Sequence, residues 1–340
     1  MKRLMLALSA VVAAASVGYA QRATFDRLSP ELFDVVPPSG RVRGNPGNLQ
    51  IRQTPCRTLP RTEIRRRLVD VAVQEWGFFG FTVVDQTNVD ASDRRRGSRR
   101  RRVRPSPEES ARVAESIAGY WTVTPQGAWI LDEQNGAWQG PRGVSARWRF
   151  PWSAAFMSWV MCEGGLGDTG QFQRAVAHHT YIDQAIRARD DGASNAAFVA
   201  YDIGEAAIAP GDLLCSARRP AYRTIAERRR QMGNGARTHC DIVVKIDEPR
   251  HRILAIGGNV QSSVSLKLLP AARAEGEDLR PVTSARRMFA HLKLRAEPIE
   301  ADAFEGSPTM RAVGCATGFQ APPQLAAMNV VIVGPGSARC

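Results

Sequence analysis

The hydrophobic period of the chain changes near Pro210, and this change constrains the fold more than any other feature of the sequence. Before it, apolar residues recur at helical spacing, and after it apolar and polar residues alternate. The helical pattern covers residues 62–76, a stretch that begins at Pro107, 153–161 and 172–187. The alternating pattern covers residues 240–246, 264–268 and 288–294. Helices first and strands afterwards predict an α+β fold, with N-terminal helices packed on an antiparallel β-sheet.

The first 20 residues are typical of a secretory signal peptide. Lys2 and Arg3 precede an apolar run that ends in Gly-Tyr-Ala, with small residues at both cleavage positions. The run is too short to serve as a membrane span. We therefore expect a periplasmic or secreted protein without an integral membrane span.

Six cysteines in an exported chain predict disulfides. Cys215 and Cys240 lie in what look like neighbouring strands and are the preferred pair, and Cys315 with Cys340 would close the tail. The sequence has no CxxC pair and no zinc-type histidine spacing. No metal or other cofactor is therefore expected.

The chain divides into a signal peptide (1–20), an extended arm rich in Pro, Gly and Arg (21–58), one α+β domain (59–296) and a loose tail (297–340). An Arg-rich insertion, residues 90–105, interrupts the domain. Its run Arg94–Arg104 holds eight arginines of a chain with net charge +13, and it has no apolar face to bury. It is either a disordered insertion or an attachment to an anionic surface. Nucleic acid is not the expected partner, because aromatic residues do not interleave with the arginines.

Four motifs carry the candidate chemistry. In chain order they are Pro151-Trp152-Ser153-Ala154-Ala155-Phe156, Pro210-Gly211-Asp212-Leu213-Leu214, His239-Cys240-Asp241-Ile242-Val243-Val244 and Ile256-Gly257-Gly258-Asn259. This order resembles the bacterial NlpC-like, papain-fold peptidases and amidases that cut peptidoglycan. The chain is most similar to a bacterial family called domain of unknown function 2272. That resemblance also includes Glu75-Trp76-Gly77-Phe78-Phe79-Gly80 and Ala177-His178 with Tyr181, and it spans about residues 64–270.

The resemblance implies a papain-like (NlpC-like) fold and a role for each matching residue. Ser153 stands where the papain-like enzymes have a catalytic cysteine at a helix start, His239 at the base position and Asn259 at the orienting third position. Trp152, His178 and Tyr181 are the candidate substrate-binding residues, and local packing explains His178 and Tyr181 equally well. The implied function is an exported hydrolase that cuts a peptide or amide bond in peptidoglycan. The alternative is a catalytically inactive papain-fold module that binds wall fragments or a partner protein.

Several of these residues have a plainer explanation as well. Ser153 is a favoured helix N-cap residue, Asn259 after two glycines suits a turn, and Trp152 suits the core as well as a cleft wall. Cys240 cannot replace the missing thiol as nucleophile. It is adjacent to His239 on the predicted strand, so the two side chains project to opposite faces. His179 and Asp183 form an i,i+4 pair of metal-ligand type, but a third ligand is not evident.

Overall fold

The fold is described here from a computed structural model that covers residues 25–52, 55–87, 106–192, 195–274, 276–282 and 288–316, together with Leu325 and Met328. The expected signal peptide and the expected Arg-rich insertion lie outside these described residues, as does Cys340.

Eight α-helices occur in the described residues. They are α1 (Pro30–Phe33), α2 (Arg61–Phe78), α3 (Pro107–Thr122), α4 (Gly127–Trp138), α5 (Ser153–Glu163), α6 (His178–Asp190), α7 (Ile225–Arg229) and α8 (Pro308–Cys315). The expected N-terminal cap of α3 is confirmed, since the Ser106 hydroxyl accepts a hydrogen bond from the backbone N–H of Glu109 at 3.1 Å. The helix α4 was not predicted.

Ten strands occur in the same part of the chain. They are β1 (Val42–Arg43), β2 (Gln50–Ile51), β3 (Thr82–Asp85), β4 (Phe198–Tyr201), β5 (Leu213–Arg219), β6 (Arg237–Asp247), β7 (Arg252–Val260), β8 (Ser263–Ala272), β9 (Arg280–Pro281) and β10 (Met288–Leu294). The main sheet has the order β3-β8-β7-β6-β5-β10-β4, and β9 pairs with β8. The α+β class is confirmed.

The sheet is mixed rather than purely antiparallel. Its pairs are antiparallel except that β3 runs parallel to β8. Strand β3 directly follows α2 and precedes β8 by most of the domain, so no hairpin sets its direction. With only four residues, β3 also carries little alternation from which its pairing could be predicted.

The helices cover one face of the sheet. Cys240, Ile242 and Val244 of β6 belong to the large core under the helices, whereas Val243 lies in a second apolar cluster on the other face. This confirms the alternation predicted for β6 from Cys240 to Val244. The prediction is wrong for Ile246, which packs against the second cluster because the strand register shifts between Val243 and Lys245. Helix α5 packs on β6 and β7, which brings its first turn close to the beginning of β6.

Helix α6 begins at His178, six residues later than the apolar spacing from Phe172 suggests. Phe172 is buried against Tyr181, but it lies in the preceding loop. The hydroxyl of Ser158 holds this loop, because it accepts from the N–H of Ala175 and donates to its carbonyl, each at 3.0 Å. The loop therefore buries Phe172 without extending the helix, and His178 becomes the first helical residue.

The segment expected as an extended arm packs on the domain through short elements. Phe33 and Val35 are buried, and Arg41 forms a buried ion pair with Glu163 at the end of α5. A disulfide joins Cys56 to Cys162 of α5. Paired charges and a covalent bond thus hold a segment that has no hydrophobic periodicity of its own.

The expectation of a loose tail is wrong for residues 297–316. Helix α8 contacts α2, and Phe304 and Met310 are buried. The hydroxyl of Ser307 accepts from the N–H of Met310, and Pro308 is the first helical residue, so the helix has a regular N-terminal start. These buried residues, together with buried Ala303 and Val313 and the helix cap, dock a short helix in a segment rich in Pro, Gly and Ala.

The predicted Cys215–Cys240 disulfide is confirmed and links β5 to β6. Cys315 is disulfide-bonded as well. Such pairing is typical of proteins from an oxidising compartment outside the cytosol. In the described part of the chain, no helix combines the length and the apolar character that crossing a membrane requires.

Candidate functional site

The hydroxyl of Ser153 does not cap its helix. Trp152 occupies the N-cap position of α5 and makes no side-chain capping bond, while Ser153 is the first helical residue. The Ser153 Oγ lies 2.8 Å from Nε2 of His178 instead. The structure therefore replaces the capping explanation with a hydrogen bond between the first residues of α5 and α6.

His178 is buried, with 4% of its surface exposed. Its Nδ1 contacts two donors, the backbone N–H of Cys240 at 3.2 Å and the hydroxyl of Tyr181. A backbone N–H can only donate, so Nδ1 accepts and the proton of the neutral ring sits on Nε2. His178 thus donates to the Ser153 oxygen. Burial, with a smaller contribution from His239, holds the pKa of His178 well below its usual value.

A second polar group lies beside the first and consists of His239, Asp241 and Lys267. Nε2 of His239 is 2.9 Å from Oδ1 of Asp241, and Nζ of Lys267 donates to Oδ2 at 2.6 Å. Asp241 and Lys267 are both buried. Burial opposes ionisation of Asp241, but Lys267 and His239 outweigh it and hold the pKa of this carboxyl below its usual range.

The two groups meet at the imidazole rings. The ring centroids of His178 and His239 are 5.0 Å apart in an edge-to-face arrangement. Because the ionised Asp241 only accepts, Nε2 of His239 carries a proton and Nδ1 is the basic nitrogen of the neutral ring. Both imidazoles therefore carry their proton on Nε2 and their basic nitrogen at Nδ1, and they lie side by side.

Gly257 and Gly258 of β7 make room for this arrangement on opposite faces of the strand. A Cβ atom at Gly257 would lie 2.0 Å from Oδ1 of Asp241 and 3.0 Å from Nε2 of His239. A Cβ atom at Gly258 would lie 2.7 Å from Cβ of Phe156 in α5. The Gly-Gly pair lets the carboxylate and the helix approach the sheet backbone closely.

The sequence-predicted residues are only partly brought together. The hydrogen bond of Ser153 goes to His178 rather than to His239, and His239 is oriented by Asp241. Asn259 has φ of 56° just before the turn between β7 and β8, which agrees with the turn explanation, and no hydrogen bond links it to His239 in the described residues. His178 and Tyr181, the candidate substrate-binding residues, are buried instead. His178 bonds Ser153, and the hydroxyl of Tyr181 bonds His178.

Trp152 is fully buried and does not form the wall of an open cleft. Its ring stacks on Phe79 and on Tyr120, with centroids 5.7 Å and 6.0 Å away. Its aromatic surface stabilises the core under the first turn of α5. The rejection of Cys240 as a nucleophile is confirmed, because its sulfur is in a disulfide.

The residues that sequence reasoning missed are Asp241 and Lys267. Asp241 follows His239 by two positions on a strand, so strand periodicity alone places both side chains on one face. Lys267 is a single charge within the apolar strand β8. Both signals were available, but the pairing of β6 with β7 and of β7 with β8 was needed to bring the lysine to the carboxylate.

His179 and Asp183, the pair of metal-ligand type, contact other groups of the protein. Both carboxylate oxygens of Asp183 accept hydrogen bonds from Arg228, at 2.7 Å and 2.6 Å. Nδ1 of His179 lies 3.2 Å from the backbone oxygen of Ala236. Within the described ranges, no group of three or more His, Cys, Asp and Glu side chains has an arrangement suited to a metal ion.

The site joins a helix-borne hydroxyl, a buried donor imidazole and a second imidazole held by a carboxylate, which is a set of groups suited to nucleophilic chemistry or to hydrogen bonding of a polar ligand. Searches among curated proteins and among solved structures gave no match. A family model described as "uncharacterized protein conserved in bacteria" matches residues 108–287, which include Ser153, His178, His239, Asp241 and Lys267. Because this match covers more than half of the 340 residues, the chain belongs to this bacterial family, DUF2272.

Proposed function

We propose that the protein is an exported hydrolase of papain-like (NlpC-like) fold that cuts a peptide or amide bond in peptidoglycan. Ser153 is the nucleophile, His239 the general base and Asp241 the residue that orients His239. His178 holds Ser153 in place. The choice of polymer follows from the sequence resemblance and from the signal peptide expected at the N-terminus. The Cys56–Cys162 and Cys215–Cys240 disulfides agree with an extracytoplasmic location.

In the first step, Oγ of Ser153 attacks the scissile carbonyl and its proton passes to Nδ1 of His239. The protonated imidazole then gives this proton to the leaving amine as the C–N bond breaks, which leaves an acyl-serine. A water molecule attacks the acyl group, His239 takes its proton, and the serine leaves with that proton restored. Hydrogen bonding from Nε2 of His178 occupies one lone pair of Oγ and leaves its proton available for transfer to His239.

The first turn of α5 supplies donors for the developing oxyanion. The first intrahelical bond runs from the N–H of Phe156 to the carbonyl of Trp152 at 2.9 Å. The N–H groups of Ser153, Ala154 and Ala155 precede that bond and point toward the start of the helix. Together with the positive end of the helix dipole, they are placed to stabilise negative charge beside Oγ.

The observation that carries the proposal is the buried Asp241–Lys267 pair beside His239. Removing both charges from water costs several kcal/mol, and their attraction offsets this cost only with good geometry, so such pairs are weak contributors to stability. Here one carboxylate oxygen is held by the lysine and the other orients an imidazole. The core does not need the charges of Asp241 and Lys267 for its stability. Their burial is explained if the pair orients a histidine, His239, that transfers protons.

One observation favours a second candidate, an inactive module that binds wall fragments or a partner protein. In serine hydrolases the histidine that contacts the serine accepts its proton, whereas His178 donates to Oγ. If His239 cannot take the proton of Ser153, the site is a hydrogen-bonding pocket rather than a catalytic one.

The deciding experiment incubates purified sacculi with wild type and with S153A, H239A and H178A, followed by mass analysis of the soluble products. The proposal expects new amino termini with wild type and none with S153A or H239A. A fluorophosphonate should modify Ser153 covalently in wild type, and the rate of this trapping reaction should fall strongly in H239A. Unchanged cleavage by S153A would remove Ser153 as nucleophile, and trapping that depends on His178 but not on His239 would reassign the base. Absence of both cleavage and trapping would select the binding module.

A further inference from the structure

A surface cavity lies at the C-terminal end of α4, and an aromatic pair lies near its N-terminal end. The strip of surface from this cavity to the aromatic pair is called the groove below. The segment 146–150 lies along one side of this helix. The ring of Phe150 contacts the ring of Trp129 with centroids 4.7 Å apart, and Arg149 forms an ion pair with Glu133 at 3.7 Å. At the far end of α4, Ala137 lines a cavity of about 320 Å³ together with Ala146 and Arg147. Because Trp129, Glu133 and Ala137 are spaced by four residues, they form one line on the helix surface.

The groove combines positive charge with exposed aromatic surface. Arg142, Arg147 and Arg149 line the cavity, and no aspartate or glutamate of the described residues does. In the part of the chain that the structure describes, neither Arg142 nor Arg147 has a carboxylate within ion-pair distance. Trp129 is 54% exposed, which makes it one of the few large apolar side chains at the surface of the described residues.

The segment itself is firmly anchored. Trp148 points inward, and its ring contacts those of Trp121 and Trp138, with centroids 6.0 Å and 5.7 Å away. The backbone N–H of Arg149 donates to the side chain of Gln134 at 2.8 Å. Trp148 packs inward, and its neighbours Arg147 and Arg149 are exposed. The packed tryptophan thus holds the backbone that carries both arginines at the surface.

The groove is also close to the candidate nucleophile. Phe150 precedes Ser153 by three residues, so their Cα atoms are at most about 11 Å apart. A polymer that stacks on Trp129 and Phe150 could therefore continue directly to Ser153. The length of α4 from Trp129 to Ala137 is about 12 Å at 1.5 Å per residue, which matches roughly two sugar rings.

We propose that this groove binds the anionic glycan–peptide strand of peptidoglycan. A sugar ring stacks on the Trp129–Phe150 pair, and carboxylates of the strand pair with Arg142 and Arg147. The inference rests on the proposed function for the identity of the polymer. Charge complementarity, the aromatic pair and the closeness to Ser153 in the chain select a carboxylate-bearing sugar polymer over an anionic lipid surface.

The test measures binding apart from cleavage by using the full chain with S153A as the parent. Binding to insoluble sacculi is measured by sedimentation at several salt concentrations. Adding W129A should weaken binding about tenfold, as for an exposed aromatic anchor, and adding R142A/R147A should weaken it about fivefold with a reduced salt dependence. The matched controls are L32A, an exposed apolar side chain far along the chain, and R218A/R230A, which removes the same charge from exposed positions.

A second arm uses sacculi whose carboxylates have been amidated. These should bind the parent more weakly, and R142A/R147A should cause no further loss. Equal sacculus binding by parent and groove variants, or preference of the parent for anionic phospholipid vesicles or for DNA through the same residues, would overturn the inference. All variants change exposed residues, and an unchanged thermal midpoint checks their folding.

The two proposals can fail separately. Groove-dependent sacculus binding without any cleavage by the wild type would retain the groove and reject the hydrolase. Cleavage of soluble wall fragments by the wild type, with sacculus binding unaffected by W129A and R142A/R147A, would retain the hydrolase and reject the groove.

Discussion

The backbone N–H of Cys240 donates a hydrogen bond to Nδ1 of His178 at 3.2 Å. This bond connects the start of β6 with the start of α6 and determines which nitrogen of His178 carries the proton. The same imidazole bonds Ser153 through its other nitrogen. A main-chain donor in the sheet thus decides whether the serine hydroxyl meets a donor or an acceptor.

The tautomer of His178 can be observed directly. We expect nitrogen-15 NMR of the wild type at pH 7.5 to show a protonated Nε2 and an unprotonated Nδ1, because Nδ1 accepts from Cys240. H178Q identifies the resonances. A protonated Nδ1 would contradict this assignment and would make His178 the acceptor of the Ser153 proton.

The stability of the protein should depend on the protonation of His178. Its pKa is lowered in the folded state, so the unfolded chain binds the extra proton as the pH falls below about 6.5. The stabilising effect of the neutral ring is complete above that pH and is lost as the pH decreases, by at most about 1.4 kcal/mol per pH unit. Urea unfolding of wild type and H178Q at pH 7.5, 6.5 and 5.5 measures it.

In that experiment, the difference in unfolding free energy between wild type and H178Q should shrink toward pH 5.5. The control is H251Q, which changes an exposed histidine in the turn before β7 and should leave the pH dependence as in the wild type. A constant difference between wild type and H178Q would show that His178 is not held neutral by folding.

Gly257 should be essential for the orientation of His239. In G257A the new methyl group would displace the Asp241 carboxylate, which lies 2.0 Å from the position of Cβ. We expect a loss of about 1–3 kcal/mol in the free energy of unfolding and a loss of Ser153 trapping of more than about tenfold, roughly the effect of 1.4 kcal/mol on the barrier. The matched control is G136A in α4, where the new Cβ atom would meet no neighbouring group of the described residues within 4 Å. Alanine there should stabilise the helix by about 0.5–1 kcal/mol. Wild-type trapping in G257A would contradict the role of the carboxylate.

The Asp241–Lys267 pair should show strong coupling in a double-mutant cycle. K267M leaves a buried carboxylate without its cation and should cost about 3–5 kcal/mol. D241N/K267M removes both charges, so its cost should be smaller than the sum of the two single changes by about 1–3 kcal/mol. Chemical denaturation of the four proteins gives the coupling, and additive effects would show that the two charges do not stabilise each other.

The same cycle separates positioning from folding. The double variant recovers stability but lacks the carboxylate that orients His239, so its Ser153 trapping rate should stay low. Recovery of trapping together with stability would assign the pair a structural role alone.

Asp70 should make the wild type less stable as the pH rises through neutrality. Burial raises its pKa to about 7, against the opposing effect of Arg66 and Arg67, and its Oδ1 has no hydrogen-bond partner in the described residues. The folded state therefore holds a proton that the unfolded chain releases near 3.8. Its stabilising effect is present at low pH and is lost as the pH rises through about 7.

We therefore expect the stability of D70N relative to wild type to be higher at pH 8 than at pH 4, by up to about 4 kcal/mol. Urea titrations at the two pH values measure this difference, with D132N at an exposed position of α4 as the control. A difference between D70N and wild type that does not change with pH would contradict the raised pKa.

Local patterns predicted the elements that surround the site. The Ser-Pro-Glu-Glu start of α3, the first residue of α5 and the alternating faces of β6 from Cys240 to Val244 follow from interactions within a few residues of one another, and each is confirmed. The Cys215–Cys240 pair could be predicted for the same reason, since it needs only two neighbouring strands.

The partner of Ser153 could not be predicted in this way. It depends on where the loop between α5 and α6 ends, and that loop is held by the hydroxyl of Ser158 and by the burial of Phe172 rather than by a repeating pattern. Lys267 likewise reaches Asp241 only through the pairing of three strands. Contacts between distant segments decide both cases, and hydrophobic periodicity carries no information about them.

The Cys56–Cys162 disulfide closes a ring with a sequence separation of 106 residues. All of the arginines from Arg94 to Arg104 lie inside that ring. A trypsin-like protease that cuts once within this run would therefore open a circle without dividing the molecule. The N-terminal segment with α2 would remain covalently attached to α5 and to the rest of the domain. Outside the cytosol, where proteases are common and reductants are scarce, one such nick would leave a two-chain protein with Ser153 still joined to both pieces.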